Sequence, residues 1–190
     1  MEAFLVSTGL VALAECGDKT QLLALSLAAR LRRPWAIAAG ILIATLLNHA
    51  GAGAVGALAG HWLEGPWMRW VLGLSFLGFA AWALVPDRPD AEAGRRDAAT
   101  AWRVFTVTAV AFFIVEMGDK TQVATVALAA RFSQLWPVIL GTTAGLMLAN
   151  VPAVWLGDRL AQRLPFKALR LGAALLFAAL GLTTLLAGGV

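Results

Sequence analysis

The stretch ECGDKTQLLALSLAARLRRPW, residues 15–35, returns 101 residues later as EMGDKTQVATVALAARFSQLW, residues 116–136. The match continues beyond these two ranges, and Gly40 falls on Gly141 under the same shift. Both copies carry two acids and a lysine in an otherwise apolar run. The chain is therefore a tandem repeat whose two halves contain the same buried charges.

The sequence around these motifs is that of an integral membrane protein. Of 190 residues, 60% are hydrophobic and only 14% are charged, a mixture far from that of soluble domains. A helix needs about 20 apolar residues to cross the hydrocarbon. Six stretches meet this requirement, at residues 2–29, 34–60, 66–85, 102–130, 136–157 and 166–188. The sequence thus predicts an all-α membrane protein with six transmembrane helices.

The predicted helices divide into two domains of three. The first repeat covers residues 1–85, and the second covers residues 102–190. Residues 86–101, rich in proline and charge, are expected to form a solvated linker between them. Because each repeat has an odd number of spans, the second copy enters the membrane facing the opposite way. Two inverted three-helix repeats are typical of transporters, whose substrate site lies near the midplane where the repeats meet.

The basic residues predict the orientation. One set of connections carries eleven Lys and Arg residues, and the other carries only Arg69 and Arg131. The positive-inside rule therefore puts the linker in the cytoplasm and both termini outside. Since these residues form no contiguous stripe, we expect no nucleic-acid partner. The expected partners are the lipid bilayer and a small ion.

Each motif predicts a charged stripe. On a continuous helix, Glu15, Asp18 and Gln21 share one face with Lys19 on its flank, and the second copy repeats this pattern. Each charge inside a membrane costs roughly 3 kcal/mol, so pairing, water or a bound ion must offset the six. A structural Glu-Lys pair within each copy is one explanation. This pairing gives the two aspartates no partner, so we favour a functional site.

The donor atoms indicate a hard divalent cation. Carboxylate, amide and hydroxyl oxygens without clustered His or Cys suit Ca²⁺, Mn²⁺ or Mg²⁺ better than copper or zinc. The predicted metal ligands are Glu15, Asp18, Gln21, Glu116, Asp119 and Gln122. Residues expected to support them are Gly17, Lys19, Thr20, Gly118, Lys120, Thr121, Asn48, His49 and Asn150. The last three are predicted to complete the ion shell or to bridge helices, and His49 is also a candidate proton relay.

Two other motif positions have open roles. Gly17 and Gly118 are expected to allow close helix approach or local unwinding. Cys16 and Met117 occupy the same repeat position, and a soft sulfur donor there would favour Mn²⁺ over Ca²⁺. A regular helix, however, points this position about 100° away from the glutamate. Apolar packing is therefore the expected role of both sulfur side chains.

The duplicated E-x-G-D-[KR]-[TS] signature, each copy on the first of three helices, resembles the Gdt/MneA-type family of cation transporters. The resemblance covers essentially the whole chain. It implies a Mn²⁺/Ca²⁺ transporter that works as a proton antiporter, with cation-binding motifs at residues 15–20 and 116–121. The short chain resembles the bacterial form, which implies the cytoplasmic membrane and Mn²⁺ export.

The charges of the motifs predict an exchange mechanism. Four carboxylates and two ammonium groups leave a formal charge of −2, which one divalent cation or two protons would neutralise. Glu15 and Glu116 are the predicted proton carriers. The metal is then a substrate, and we expect neither a cofactor nor an enzymatic activity.

Three rival functions stay open at this stage. An exporter of amino acids or other small organic solutes could use the acids and lysines to receive an amino group and a carboxylate. An intramembrane aspartyl protease fits less well, because the first glycine of its G-x-G-D motif is missing and both aspartates have the same context. A scaffold without transport activity needs no buried charge at all.

Overall fold

The computed structural model describes residues 1–62, 67–85, 100–156 and 165–186. Within these ranges the chain is all-helical. The helices are α1 (Glu2–Glu15), α2 (Lys19–Leu31), α3 (Pro34–Trp62), α4 (Met68–Ala83), α5 (Ala101–Glu116), α6 (Lys120–Phe132), α7 (Leu135–Leu156) and α8 (Phe166–Leu186). The predicted linker, residues 86–101, falls outside the described residues except for its last two positions.

Several of the described helices can cross a bilayer. Residues Pro34–Ala59 of α3, the whole of α7 and residues Lys167–Leu186 of α8 are long and apolar enough. Helices α5 and α6 qualify together as one span that is bent by 70°, while α4 is apolar but only 16 residues long. Length and composition thus identify three to four spans in the described part of the chain.

The first predicted helix of each half is broken. Residues 2–29 and 102–130 were expected to form single helices, and this expectation is wrong. Helix α1 ends at Glu15 and α2 begins at Lys19, and the second half repeats the break between Glu116 and Lys120. In both halves the three intervening residues leave helical geometry because the middle one, a glycine, has a positive φ.

A matching turn joins α2 to α3 in the first half and α6 to α7 in the second half. Arg32 has φ 50° and donates its N–H to the carbonyl of Ala28, and Ser133 has φ 51° and donates to the carbonyl of Ala129. This left-handed residue ends the preceding helix by capping one of its free carbonyls. Pro34 then starts α3, since a residue without an N–H suits the first helical turn.

Helices of the first half pack against helices of the second half. Helix α1 lies against α7, α5 lies against α3, and α4 lies against α8. At the first crossing, a Cβ added to Gly141 would stand 2.6 Å from the carbonyl oxygen of Phe4. At the second, a Cβ on Gly40 would stand 2.8 Å from the carbonyl oxygen of Phe105. Glycine at these equivalent positions therefore allows α1 to contact α7 and α5 to contact α3 closely.

The C-terminal half of α3 runs beside α6 and the start of α7. A Cβ on Gly56 would collide with the carbonyl oxygen of Val126, and a Cβ on Gly53 would stand 3.0 Å from Leu135. The end of α3 and the turn between α6 and α7 therefore lie at the same end of the bundle. This arrangement positions the second motif, which begins at the end of α5, against the middle of α3.

Candidate functional site

The acidic residues of both motifs lie at helix ends instead of on a continuous stripe. Glu15 and Glu116 are the last residues of α1 and α5. Asp18 and Asp119 occupy the N-cap positions of α2 and α6 in extended conformation. The predicted helical stripe is therefore wrong. The positive ends of the α2 and α6 dipoles, which favour negative charge, instead lie beside the two aspartates.

The glycines in the breaks are required for their backbone conformation. Gly17 has φ 80° and Gly118 has φ 77°, a region that residues with a Cβ adopt at a cost. Apart from the adjoining Met117 and Asp119, no heavy atom of the described residues lies within 4 Å of where a Cβ of Gly118 would be, so this glycine unwinds the chain and does not serve close packing. The N–H of Gly17 donates to Gln21 Oε1 at 2.9 Å, and the N–H of Gly118 donates to Gln122 Oε1 at 2.6 Å.

Gly118→Ala should destabilise the protein by about 1–2 kcal/mol, the cost of left-handed backbone for a residue with a Cβ. Because the space is empty, this cost is conformational and not steric. Gly118→Asn should lose less, since asparagine tolerates left-handed geometry. Thermal unfolding of the purified variants in detergent measures both. Equal losses for alanine and asparagine would contradict a conformational role.

Two ion pairs cross between the halves. Lys19 Nζ lies 2.7 Å from Asp119 Oδ1, and Lys120 Nζ lies 2.6 Å from Asp18 Oδ1. The aspartates are thus paired with the lysines of the opposite copy. A Glu-Lys pair within each copy would have given the aspartates no partner. The two pairs differ in exposure, since 35% of the Lys19 side chain is exposed and only 7% of the Lys120 side chain.

Three carboxylates converge at this crossing. Glu15, Asp18 and Asp119 each offer an oxygen that lies within 4.8 Å of the other two, and all three residues are buried. We call these three residues the carboxylate cluster. Glu15 Oε2 accepts a hydrogen bond from Thr20 Oγ1 at 2.6 Å, whereas Glu15 Oε1 and Asp119 Oδ2 have no hydrogen-bond partner within the described ranges. Buried carboxylate oxygens in this state are suited to bind a cation.

Glu116 is buried close enough to Glu15, Asp18 and Asp119 for their charges to act on it, but none of its oxygens belongs to the group within 4.8 Å of one another. Its Oε2 lies 3.4 Å from Thr121 Oγ1, a longer contact than the equivalent one between Thr20 and Glu15. Its Oε1 has no hydrogen-bond partner in the part of the chain that is described. The two glutamates therefore have different surroundings in this conformation, although the repeat makes them equivalent in sequence.

The motif glutamines form hydrogen bonds across the two breaks. Their oxygens are occupied by the glycine N–H groups, and their amide nitrogens reach the second helix of the other half. Gln21 Nε2 donates to the carbonyl of Ala149 at 2.8 Å, and Gln122 Nε2 donates to Asn48 Oδ1 at 3.3 Å. Asn48 in turn donates to the carbonyl of Phe113 at 3.1 Å. Asn48 is thus a bridge between α3, α5 and α6.

The remaining predicted residues do not join this network. His49 is buried, and neither ring nitrogen has a hydrogen-bond partner among the described residues. Asn150 donates to the carbonyl of Leu146 in its own helix at 3.1 Å. The carbonyl of Ala149 takes part although the sequence did not single it out. Its signal was the repeat itself, because Ala149 is the counterpart of Asn48.

Comparison with known proteins identifies a family. Residues 3–91 and 104–189 match the family described as "Divalent cation/proton antiporter GDT1". A Vibrio cholerae protein named "Putative manganese exporter" is 44% identical over 186 residues, which cover 97% of this chain and 90% of that protein. A GDT1-like protein of Synechocystis is 29% identical over 198 residues, covering 93% of each chain. No solved structure gives a significant match.

Proposed function

Because the chain belongs to the divalent cation/proton antiporter GDT1 family, we propose that it is a secondary transporter that exports Mn²⁺ in exchange for protons. The observation that carries this proposal is the carboxylate cluster, in which oxygens from both motifs lie within 4.8 Å of one another. Acids from two halves of a chain converge inside a membrane protein at a high cost. A transported cation accounts for that cost.

The choice of metal follows from the donors. The cluster offers carboxylate oxygens, which suit Mn²⁺ and Ca²⁺. The relative from Vibrio cholerae, with 44% identity, is named as a manganese exporter, and this similarity favours Mn²⁺ as the exported ion. Ca²⁺ is the alternative substrate, and direct competition between the two ions distinguishes them.

We further propose six spans in two inverted repeats. The broken helices α1 with α2 and α5 with α6 each serve as one span, and α3, α4, α7 and α8 complete the six. The exchanged contacts of α1 with α7 and α5 with α3 support this arrangement. The excess of basic residues on one side supports both termini outside a bacterial cytoplasmic membrane.

The formal charges support exchange. The cluster, Glu116 and the two lysines together carry a net charge of −2, which one Mn²⁺ or two H⁺ neutralises. Moving an empty, doubly negative site across the membrane interior is unfavourable. The bundle therefore changes access when either the metal or the protons are bound, with Glu15 and Glu116 as the proton carriers. Such exchange is nearly electroneutral.

Purified protein in liposomes tests this function. With a metal-sensitive dye and a pH dye inside, Mn²⁺ flux should follow an imposed pH gradient and should respond little to a potassium-valinomycin potential. Ca²⁺ and Mg²⁺ are added in turn to rank the ions. Flux that tracks voltage and ignores the pH gradient would replace the antiporter with a channel or uniporter.

The ion pairs argue against an exporter of amino acids. Such a site needs an ammonium group that can receive the substrate carboxylate, whereas Lys19 and Lys120 are both held by aspartates of the opposite copy. An excess of amino acids in the liposome assay should therefore leave Mn²⁺ flux unchanged. Strong competition by any amino acid would favour the solute exporter instead.

A further inference from the structure

A cavity of about 340 Å³ lies beside the second motif, between α3, α5 and α6. Most of its lining is apolar. Its polar atoms come from Asn48 and Gln122, the two side chains that are hydrogen-bonded to each other, and Met117 lies beside them. The first motif has the same sequence pattern but a more enclosed break, because Cys16 and Gly17 are both half-buried.

The second break is open. Met117 is 58% exposed, and the neighbouring Gly118 is exposed as well. Non-helical backbone at membrane depth is tolerated only where protein buries it or where it lines a water-filled cavity. Since this break is not buried, the surroundings of Met117 and Gly118 must be wet. The apolar packing predicted for Met117 from the sequence is therefore only partial, since Met117 lines the cavity beside Phe113 and Val123 and is more than half exposed.

The two ion pairs also differ in their access to solvent. Lys19, whose side chain is 35% exposed, holds Asp119, while the better buried Lys120 holds Asp18. A charged ammonium group is stable at this depth only with water or a counterion. Asp119 belongs to the carboxylate cluster and lies in the chain between Met117 and Gln122, two residues of the cavity lining.

The two motif glutamines also differ in the acceptor that holds their amide nitrogen. In the first half, Gln21 is tied to a backbone carbonyl of α7, which cannot move without the helix. In the second half, Gln122 is tied to the side chain of Asn48, which can change its rotamer. The contact beside the cavity is therefore the easier one for an entering ion to displace.

The cavity runs toward a defined end of the bundle. Its lining extends along α3 from Leu47 to Val55 and along α6 from Gln122 to Val126. Both helices run toward the turn between α6 and α7. In the proposed orientation that turn lies outside the cell.

We propose that this cavity is an aqueous vestibule through which a hydrated divalent cation reaches the carboxylate cluster from outside the cell in this conformation. The sidedness and the ion rest on the proposed function, whereas the presence of water does not. During export, the same vestibule serves as the exit for the metal and the entrance for protons.

Single-cysteine variants test the vestibule. In a Cys16→Ala background that reaches the membrane at the normal level, Met117→Cys is compared with Val110→Cys. Val110 is a matched control, because it lies on α5, the helix that ends just before Met117, is also 58% exposed and does not line the cavity. Intact cells are treated from outside with a cationic, membrane-impermeant methanethiosulfonate, and total thiol is measured after denaturation.

The cysteine at position 117 should react at least about tenfold faster than the one at position 110, because the reactive thiolate forms only in water. Native Cys16 in the unmodified chain should also react slowly. Millimolar Mn²⁺ should slow the reaction at position 117. Equal, slow labelling at positions 117 and 110 would mean that the cavity faces lipid and would overturn the proposal.

Two other outcomes would also overturn it. Labelling at position 117 only in inside-out vesicles would contradict the stated side, and labelling that Mn²⁺ does not slow would separate the cavity from the ion path. The labelling itself needs no transport. A failed liposome exchange assay together with fast, protected labelling would therefore reject the antiport mechanism and leave the vestibule standing.

Discussion

Glu15→Gln is expected to abolish Mn²⁺ exchange and to weaken Mn²⁺ binding at least about 100-fold, since loss of even an outer-shell partner costs 10- to 100-fold in metal affinity. Glu15 is the member of the carboxylate cluster that no crossed ion pair holds, and its Oε1 has no hydrogen-bond partner within the described ranges. Glutamine keeps the size of the side chain and removes its charge. Binding is measured by titration of the purified protein, and exchange is measured in liposomes.

Glu116→Gln and Glu2→Gln complete this experiment. Glu116→Gln should also abolish exchange, because the proposed cycle uses both glutamates. It should weaken binding less than Glu15→Gln does, since no oxygen of Glu116 belongs to the group within 4.8 Å of one another in this conformation. Glu2, exposed at the start of α1, should tolerate glutamine. Normal Mn²⁺ flux with Glu15→Gln, at normal protein levels in the membrane, would exclude the cluster as the transport site.

Lys120→Met should destabilise the protein by about 3–5 kcal/mol, the usual result of removing one partner of a buried ion pair. The change removes the lysine partner of Asp18, which is buried. Lys19→Met is the matched substitution in the other half. It should cost less, because Lys19 is partly exposed and water can replace it beside Asp119. The measurement is the thermal unfolding midpoint in detergent.

A rescue variant separates charge from packing in this experiment. Asp18→Asn combined with Lys120→Met removes both charges of the pair and should recover much of the lost stability while leaving transport inactive. Equal destabilisation by Lys19→Met and Lys120→Met would mean that the difference in exposure between the two pairs has no energetic consequence.

The repeated hexapeptide made the family predictable. Two copies of the same acids in apolar sequence indicated a membrane transporter with a cation site between its halves, and the family membership confirms the family predicted from those motifs. The prediction that the acids of the two copies meet remains part of the proposed function. The sequence also identified Asn48 as a residue that either completes the ion shell or bridges helices. It predicted the motif glutamines as metal ligands, whereas their oxygens accept hydrogen bonds from the glycine N–H groups in this conformation.

The broken helices could not be predicted in the same way. The residues on both sides of Gly17 and Gly118 are apolar enough to continue one helix, and a glycine there is compatible with close packing, unwinding or an ordinary helix. Hydrophobic periodicity cannot distinguish these cases. Only the positive φ of both glycines separates the glutamates from the aspartates and brings the aspartates to the starts of new helices.

The crossed ion pairs were hidden for another reason. Lys19 and Asp119 are 100 residues apart in the sequence, and a helical wheel pairs a lysine only with neighbours in its own copy. The difference between Cys16 and Met117 was hidden as well, because equivalent positions in a repeat give no sign that one is exposed and the other is half-buried. Such asymmetry belongs to the conformation and not to the pattern.

The crossed ion pairs also decide how this duplicated chain can be divided or changed. Neither half balances its own aspartate, since the balancing lysine comes from the other half. A charge substitution in one half is therefore tolerated only together with its complement in the other, and a half-length protein would have to find a second copy in the opposite orientation before its motif charges were matched. The two halves, although copies in sequence, therefore have to change together.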